Sequence, residues 1–196
     1  VSARWDPVET VETGPAAGTD DELLAVRAAE GDEGAFEMLV HRHTPAMLQL
    51  AQRLLGTRAE AEDAVQDSFV SAWRALPDFR REAGFATWLH RIVTNRCLNL
   101  LRARRAAADL DTVPEPAAPE YQSSPVRAAE SQAAARDLRL AMRSLSAEQQ
   151  VCWVLREIEG RPYEAIAQAV RISPEAVRAR VFRARRVLTE AMAAWR

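Results

Sequence analysis

An all-α protein is the fold this sequence predicts: two small helical domains joined by a flexible, Pro-rich acidic linker, the C-terminal domain containing a helix-turn-helix. Three observations predict it. Apolar residues recur at helical spacing along most of the chain, and no stretch alternates at the two-residue period of a strand. Ser/Thr-x-x-Glu/Gln boxes at Thr19, Thr57 and Ser146 mark helix starts, each able to satisfy two orphan N–H groups reciprocally. Between residues 106 and 125 the pattern stops: AAADLDTVPEPAAPEYQSSP holds four prolines, four acids and no base. About twenty structureless residues inside one compact domain are implausible. The chain therefore divides at a linker over 106–127, stiffened by proline and solvated by charge.

Residues 1–18 are acidic and aperiodic, and a disordered tail is expected there. The first domain then covers 19–105. The Thr19 box opens a helix that stops at Gly31, and Asp32 caps the next, which carries Phe36, Leu39 and Val40. Pro45 is expected to break or kink it before Met47, Leu50, Ala51 and Leu54 continue the stripe to Gly56. The Thr57 box opens a helix whose core side is Val65, Phe69, Ala72, Trp73 and Leu76; Pro77 ends it. A loop over 77–85 leads into a long helix from Phe85 to Arg105, with Phe85, Leu89, Ile92, Val93 and Leu100 inward. The second domain, 128–196, opens with a helix to Leu145. A further helix follows the Ser146 box, with Val151, Val154, Leu155 and Ile158 apolar and Gly160 as its stop.

The stretch PYEAIAQAVRISPEAVRARVFRARR, residues 162–186, reads as two helices around a sharp turn at Arg171-Ile172. Tyr163, Ile166, Ala167 and Val170 form the first stripe. Ser173 is a good N-cap and Pro174 suits the first helical position. Val177, Val181, Ala184 and Leu188 then face the first helix. The opposite face carries Glu175, Ala179, Phe182, Arg183 and Arg186, with Arg178 and Arg185 on its flank. Six arginines lie between Arg171 and Arg186 against one acid. Arginine reads guanine bidentately and pins phosphates, and an apolar ring can meet a thymine methyl. This is the layout of a DNA-reading helix-turn-helix, weighed against an Arg-rich solvated face of no particular role.

Two other surfaces stand out. Glu60, Asp63 and Asp67 share one face at i, i+3 and i+7; residue types alone leave it equally a solvated face or a docking face for a basic partner. On the long helix Thr87, Arg91, Thr94, Leu98 and Arg102 share the side away from the core, with Trp88 and Asn95 at its edge. Arginine, amide and indole together suit phosphate contact and base stacking on a single strand; taken alone, Trp88 is as well explained as core.

The net charge of −2 conceals segregation: residues 1–40 carry ten acids against two arginines, and 91–105 carry five arginines and no acid. Cys97 and Cys152 are isolated, which points to a reducing, cytoplasmic setting without a designed disulfide. No apolar run approaches the ~18 residues of a membrane span, and the acidic start is not that of a signal peptide. His41 and His43 are two apart and do not share a helix face, so no metal site is expected. There is no Gly-rich phosphate loop, metal-spaced His/Cys set or nucleophile motif, so neither an enzyme nor a cofactor is expected.

In this order the parts resemble the extracytoplasmic-function (group IV) sigma factors of bacterial RNA polymerase. The resemblance rests on AEAEDAVQDSFVSAWRAL (59–76), FATWLHRIVTNRCLNLLR (85–102) and LSAEQQVCWVLREIEGRPYEAIAQAVRISPEAVRARVFRARRVL (145–188). It implies that 19–105 is sigma region 2, binding core polymerase and the −10 element, and that 128–196 is region 4, binding the −35 element. Asp63, Gln66 and Asp67 would dock on the β′ clamp helices, and region 4 would also meet the β flap. The loop 77–85, with Phe79 and Arg80, and the helix residues Trp88, Arg91 and Asn95 would take the melted −10 strand. Arg178, Ala179, Phe182, Arg183 and Arg186 would face the −35 duplex. An anti-sigma factor is a further implied partner, and the linker would thread the polymerase cleft. Arg171 departs from the glycine common in this turn. A self-sufficient helix-turn-helix regulator is the alternative; it would account for 162–186 but not for the acidic face, the second basic helix or the linker.

Overall fold

The computed structural model describes residues 15–80, 83–108 and 136–193, and they are helical with short connections. The first unit contains α1 (Pro15–Ala29), α2 (Glu33–Leu55), α3 (Arg58–Ala75), a 3-10 turn (Leu76–Asp78) and α4 (Phe85–Ala108). The second contains α5 (136–144), α6 (Ala147–Trp153) running on into a π-helical turn (Val154–Ile158), α7 (Tyr163–Val170) and α8 (Pro174–Ala191). The expected tail at 1–14 and the linker at 109–127 lie outside the described residues.

Capping chemistry sets most boundaries. Asp32 accepts from the N–H of Ala35 at 3.0 Å. Ser146 and Gln149 make both bonds of their box, at 3.2 and 2.8 Å. Thr57 caps α3, but its hydroxyl donates to the Glu60 carboxylate at 2.5 Å instead of the carboxylate returning to the cap N–H. The Thr19 box is not a helix start, because α1 begins at Pro15, within the tail expected to be disordered. Proline is preorganised for a first helical position, and two alanines follow it. At the other end α4 overruns its expected stop at Arg105 through Ala106–Ala108, strong helix formers that had been assigned to the linker.

Pro45 does not break α2, which runs unbroken from Glu33 to Leu55. The stripe continues on both sides of it, with Leu39 and Met47 buried. In the turn before, the Thr44 hydroxyl donates to the Val40 carbonyl at 2.6 Å. The π-helical turn has a comparable effect on register. One extra residue in the turn carries Ile158 out of the expected stripe to 47% exposure, while Val154 and Leu155 stay buried. Arg171 ends α7 in the left-handed region at φ 56°, the single non-glycine positive φ among the described residues. A side chain costs about 1–2 kcal/mol there, offset in part by N–H bonds from Arg171 and Ile172 to the Ala167 carbonyl.

The two units are not held apart. One continuous apolar cluster contains Leu54, Leu89 and Leu101 of the first together with Val151, Leu155 and Ile166 of the second. A smaller cluster of Ala141, Leu145, Ala184 and Leu188 binds α5 to the end of α8.

Candidate nucleic-acid and polymerase interfaces

The helix-turn-helix is built as its sequence requires. Val177, Val181, Ala184 and Leu188 are all buried, and Ser173 accepts from the N–H of Ala176 at 3.2 Å to start α8. With that stripe fixed inward, the opposite row must face water. Arg178, Phe182, Arg183 and Arg186 are exposed and Ala179 is half-buried. Phe182 is 67% exposed, the most of any large apolar side chain among the described residues. Arg178 lies between Glu164 and Glu175, at 3.6 and 3.5 Å, and over the Tyr163 ring. Arg185 is tied to Glu157 at 2.6 Å and Arg186 approaches Glu190 at 3.7 Å. Arg183 makes no ion pair among the described residues, which leaves it the least committed cation of the row.

On α3, Asp63, Gln66 and Asp67 come together along one groove of about 390 Å³. Its far wall is α4: Arg96 pairs with Asp67, and Leu100 lines the same wall. At one end Arg104 pairs with Glu60. The groove is thus acidic on the α3 side, and two of its carboxylates, Asp67 and Glu60, pair with guanidiniums of α4. Arg96 and Arg104 carry no sequence signal for this, because the pairing depends on how α4 crosses α3.

The −10 candidates form a different kind of place. Phe79, Phe85 and Trp88 make an aromatic cluster, with Phe79–Trp88 centroids 4.9 Å apart and Phe85–Trp88 5.6 Å apart. Trp88 is half-buried, so it serves the packing and still shows an edge. His43 closes the cluster 5.5 Å from Phe85, held by Asp21 at 2.8 Å; His41 is exposed. Arg80 is exposed and Arg91 half-buried. Asn95 turns its amide back to the Arg91 carbonyl at 2.9 Å. Thr94 and Leu98, read from the sequence as belonging to the outer side of this helix, are buried at 0% and 2%. The second unit lies against that side, so it is not solvent-facing here.

His90 sits at this junction. It is 8% exposed and borders a small cleft with Leu155, Arg161 and Ala165. Its Nε2 has no partner among the described residues, and Nδ1 lies 3.4 Å from the Thr94 hydroxyl. Burial, with Arg161 adding to it, lowers the ring's pKa from 6.5 to about 4. The folded state therefore prefers the neutral ring. This contribution is fully present above about 6.5 and is lost as pH falls through 6.5 towards 4. At pH 5 the wild-type protein should lose about 2 kcal/mol of stability relative to pH 7.5 through this group. Denaturant melts at the two pH values check this, since His90→Gln should show that much less pH dependence.

A capped helix-turn-helix with an exposed arginine row in the second unit, together with an acidic groove on the first, fits a helical DNA-binding regulator. Known proteins place it further. Residues 39–107 match the family model for sigma-70 region 2, and residues 135–188 that for sigma-70 region 4. The chain is 34% identical over 180 residues to RNA polymerase sigma-H factor of Pseudomonas aeruginosa, covering 88% of this chain and 93% of that protein. It is 32% identical over 176 residues to the ECF RNA polymerase sigma-E factor of Escherichia coli K12, covering 86% and 92%. Among solved structures it resembles CnrH in complex with the cytosolic domain of CnrY, at TM-score 0.61 and 31% identity over 89% of this chain and 98% of that one. It also resembles the sigma factor RpoE of Bartonella quintana in complex with the anti-sigma factor NepR, at TM-score 0.59 and 27% identity over 82% and 98%. The chain belongs to the extracytoplasmic-function sigma factors, which direct RNA polymerase to promoters. No helix among the described residues is long and apolar enough to cross a membrane.

Proposed function

We propose that this sigma factor docks on the β′ clamp helices of core polymerase through Asp63, Gln66 and Asp67, and reads the −35 duplex with Arg178, Ala179, Phe182, Arg183 and Arg186. The melted −10 strand goes to Phe79, Arg80, Trp88, Arg91 and Asn95. The first unit, α1 to α4, thus carries polymerase and −10 binding. The second, α5 to α8, carries −35 binding and meets the β flap. The polymerisation chemistry belongs to the polymerase, and the protein works in the cytoplasm where that enzyme is. An anti-sigma factor is a partner by extension from relatives solved with theirs.

The observation that carries this reading is the outward row of α8, where a phenylalanine is kept 67% exposed between arginines. Folding gains little from that ring, whereas a major groove offers it a thymine methyl and offers the arginines guanine edges. The test is promoter binding with and without core polymerase. Two small surfaces on separate units gain avidity only when something holds both at the right spacing. The protein alone should bind promoter fragments weakly and with little sequence preference, and addition of core should give specific complexes and defined transcript starts. Tight, sequence-specific retention by the protein alone, on palindromic sites, would instead identify a self-sufficient regulator.

A further inference from the structure

We propose that Asp21 of α1 and His43 of α2 are positioning residues for the −10 strand: the acid holds the imidazole against Phe85, and Phe85 sets the aromatic cluster that the strand meets. The proposal deepens, and rests on, the −10 assignment given above.

The acids of the Thr19 box lie inside α1 and bond to α2. Arg42 donates to Asp20 at 2.6 Å and also to Asp21. The other Asp21 oxygen lies 2.8 Å from His43 Nε2. An ionised carboxylate only accepts, so the imidazole donates from Nε2. The turn of α2 that carries Arg42 and His43 is its least constrained. Pro45 has no N–H, so the His41 carbonyl four residues earlier lacks its usual helical partner. The bonds from α1 fix the side chains of that turn.

Docking of α1 does not itself require them. Leu24, Ala25 and Ala28 already bury an apolar face, whereas Asp21 is a buried carboxylate. Desolvation of such a charge offsets much of what its ion pairs return, and an apolar residue of similar volume is often as stable. What the pairs add is placement.

From His43 the contact runs through rings. Its ring centroid lies 5.5 Å from that of Phe85, at 49°. Phe85 is fully buried as the first residue of α4. It meets Phe79 edge to face at 6.2 Å and Trp88 at 5.6 Å, and those two rings are 4.9 Å apart. Phe79 and Trp88 are half-buried, and Arg80 after Phe79 is exposed. The network therefore stands behind the cluster, and the strand would meet its outer rings. α1 also packs directly on the 3-10 turn that ends just before Phe79. It thus reaches both walls of the cluster, one through His43 and one by contact. Bases stack on rings that are already in place, so a displaced ring weakens capture.

The test uses holoenzyme reconstituted with full-length variants and a promoter taken from the wild-type transcript starts. Asp21→Leu unties the imidazole and leaves Arg42 paired with Asp20. His43→Gln keeps an N–H donor for Asp21 and removes the ring. Both should retain core polymerase and −35 preference at the wild-type level. Both should bind the −10 non-template oligonucleotide roughly two- to tenfold more weakly, with relaxed preference among its bases. Leu24→Ala loosens the same helix through packing alone. Assayed below its melting transition, it should show lowered stability and an unchanged −10 preference. Wild-type −10 affinity and preference in both Asp21→Leu and His43→Gln overturns the proposal, and so does the same base-selective defect in Leu24→Ala. Arg80→Ala with Arg91→Ala separates the proposal from the assignment beneath it. If that double variant binds the oligonucleotide weakly while Asp21→Leu and His43→Gln bind it normally, only the positioning claim falls. If the double variant binds it normally, the −10 assignment falls, and the proposal with it.

Discussion

Asp63→Arg combined with Asp67→Arg should abolish assembly with core polymerase while the protein stays folded. Both carboxylates are exposed on α3, and neither contributes to the apolar stripe of Val65, Phe69 and Ala72. The folding cost is limited to the Asp67–Arg96 pair, which is exposed on both sides and worth about 0–1 kcal/mol. The docking cost is larger. The groove already contains Arg96, and Arg104 meets Glu60 at its edge, each offset by an α3 carboxylate. Reversal leaves Glu60 paired with Arg104 but sets two new arginines beside Arg96, turning an acidic lip basic. Against a basic partner surface, like-charge contact costs several kcal/mol and also slows encounter. The measurement is retention of core polymerase by tagged protein, with a melting curve as control. A folded double variant that retains polymerase at the wild-type level removes the docking assignment.

The elements of this fold were largely legible because α2, α3, α6 and α8 each announce themselves twice, once in a stripe and once in a cap. Val177, Val181, Ala184 and Leu188 are buried as their spacing requires, and Asp32, Thr57, Ser146 and Ser173 all cap. The misplaced boundaries, Pro15 and Ala108, lie where small or preorganised residues extend a helix without adding to a stripe. Pro45 misled because a lost N–H is a local cost, while burial on both sides of it is a tertiary gain. Ile158 misled because no periodicity foretells an inserted π turn. On the site, the outward row of α8 follows directly from its inward one. The face of α4 did not follow in the same way. Thr87, Arg91, Thr94 and Arg102, with the single Leu98 among them, pass for a solvated surface, yet Arg102 pairs with Glu148, and Arg105 one turn on with Gln150, both more than forty positions further along the chain. Sequence patterning reports which side of a helix is apolar; it does not report which polar side another unit will complete.

Arg183→Ala and Phe182→Ala should leave holoenzyme assembly and folding unchanged and impair promoter choice in two distinguishable ways. Arg183 has no ion pair among the described residues to lose, and Phe182, at 67% exposure, has little packing to lose. Surface changes of this kind stay within about 0.5 kcal/mol, whereas a phenylalanine in the core would cost about 3–5 kcal/mol on truncation. If Arg183 is bidentate to a guanine, its loss costs about 1–3 kcal/mol and relaxes preference at one base pair of the −35 element. If it only holds a phosphate, binding weakens on all sequences alike and the salt slope falls by about one. Phe182→Ala should lose discrimination at a thymine, with no change in salt slope because no charge is removed. Transcription from single-base −35 variants at two salt concentrations, read beside melting curves, separates these outcomes. The arrangement on α8 favours base contact for Arg183. Arg178, Arg185 and Arg186 already face carboxylates at 3.5–3.6, 2.6 and 3.7 Å and suit the flanks of the groove. Arg183 stands next to the exposed ring with no such tether among the described residues, so its guanidinium is free to form a bidentate contact. Normal promoter choice and normal salt dependence in Arg183→Ala would remove α8 as the recognition helix.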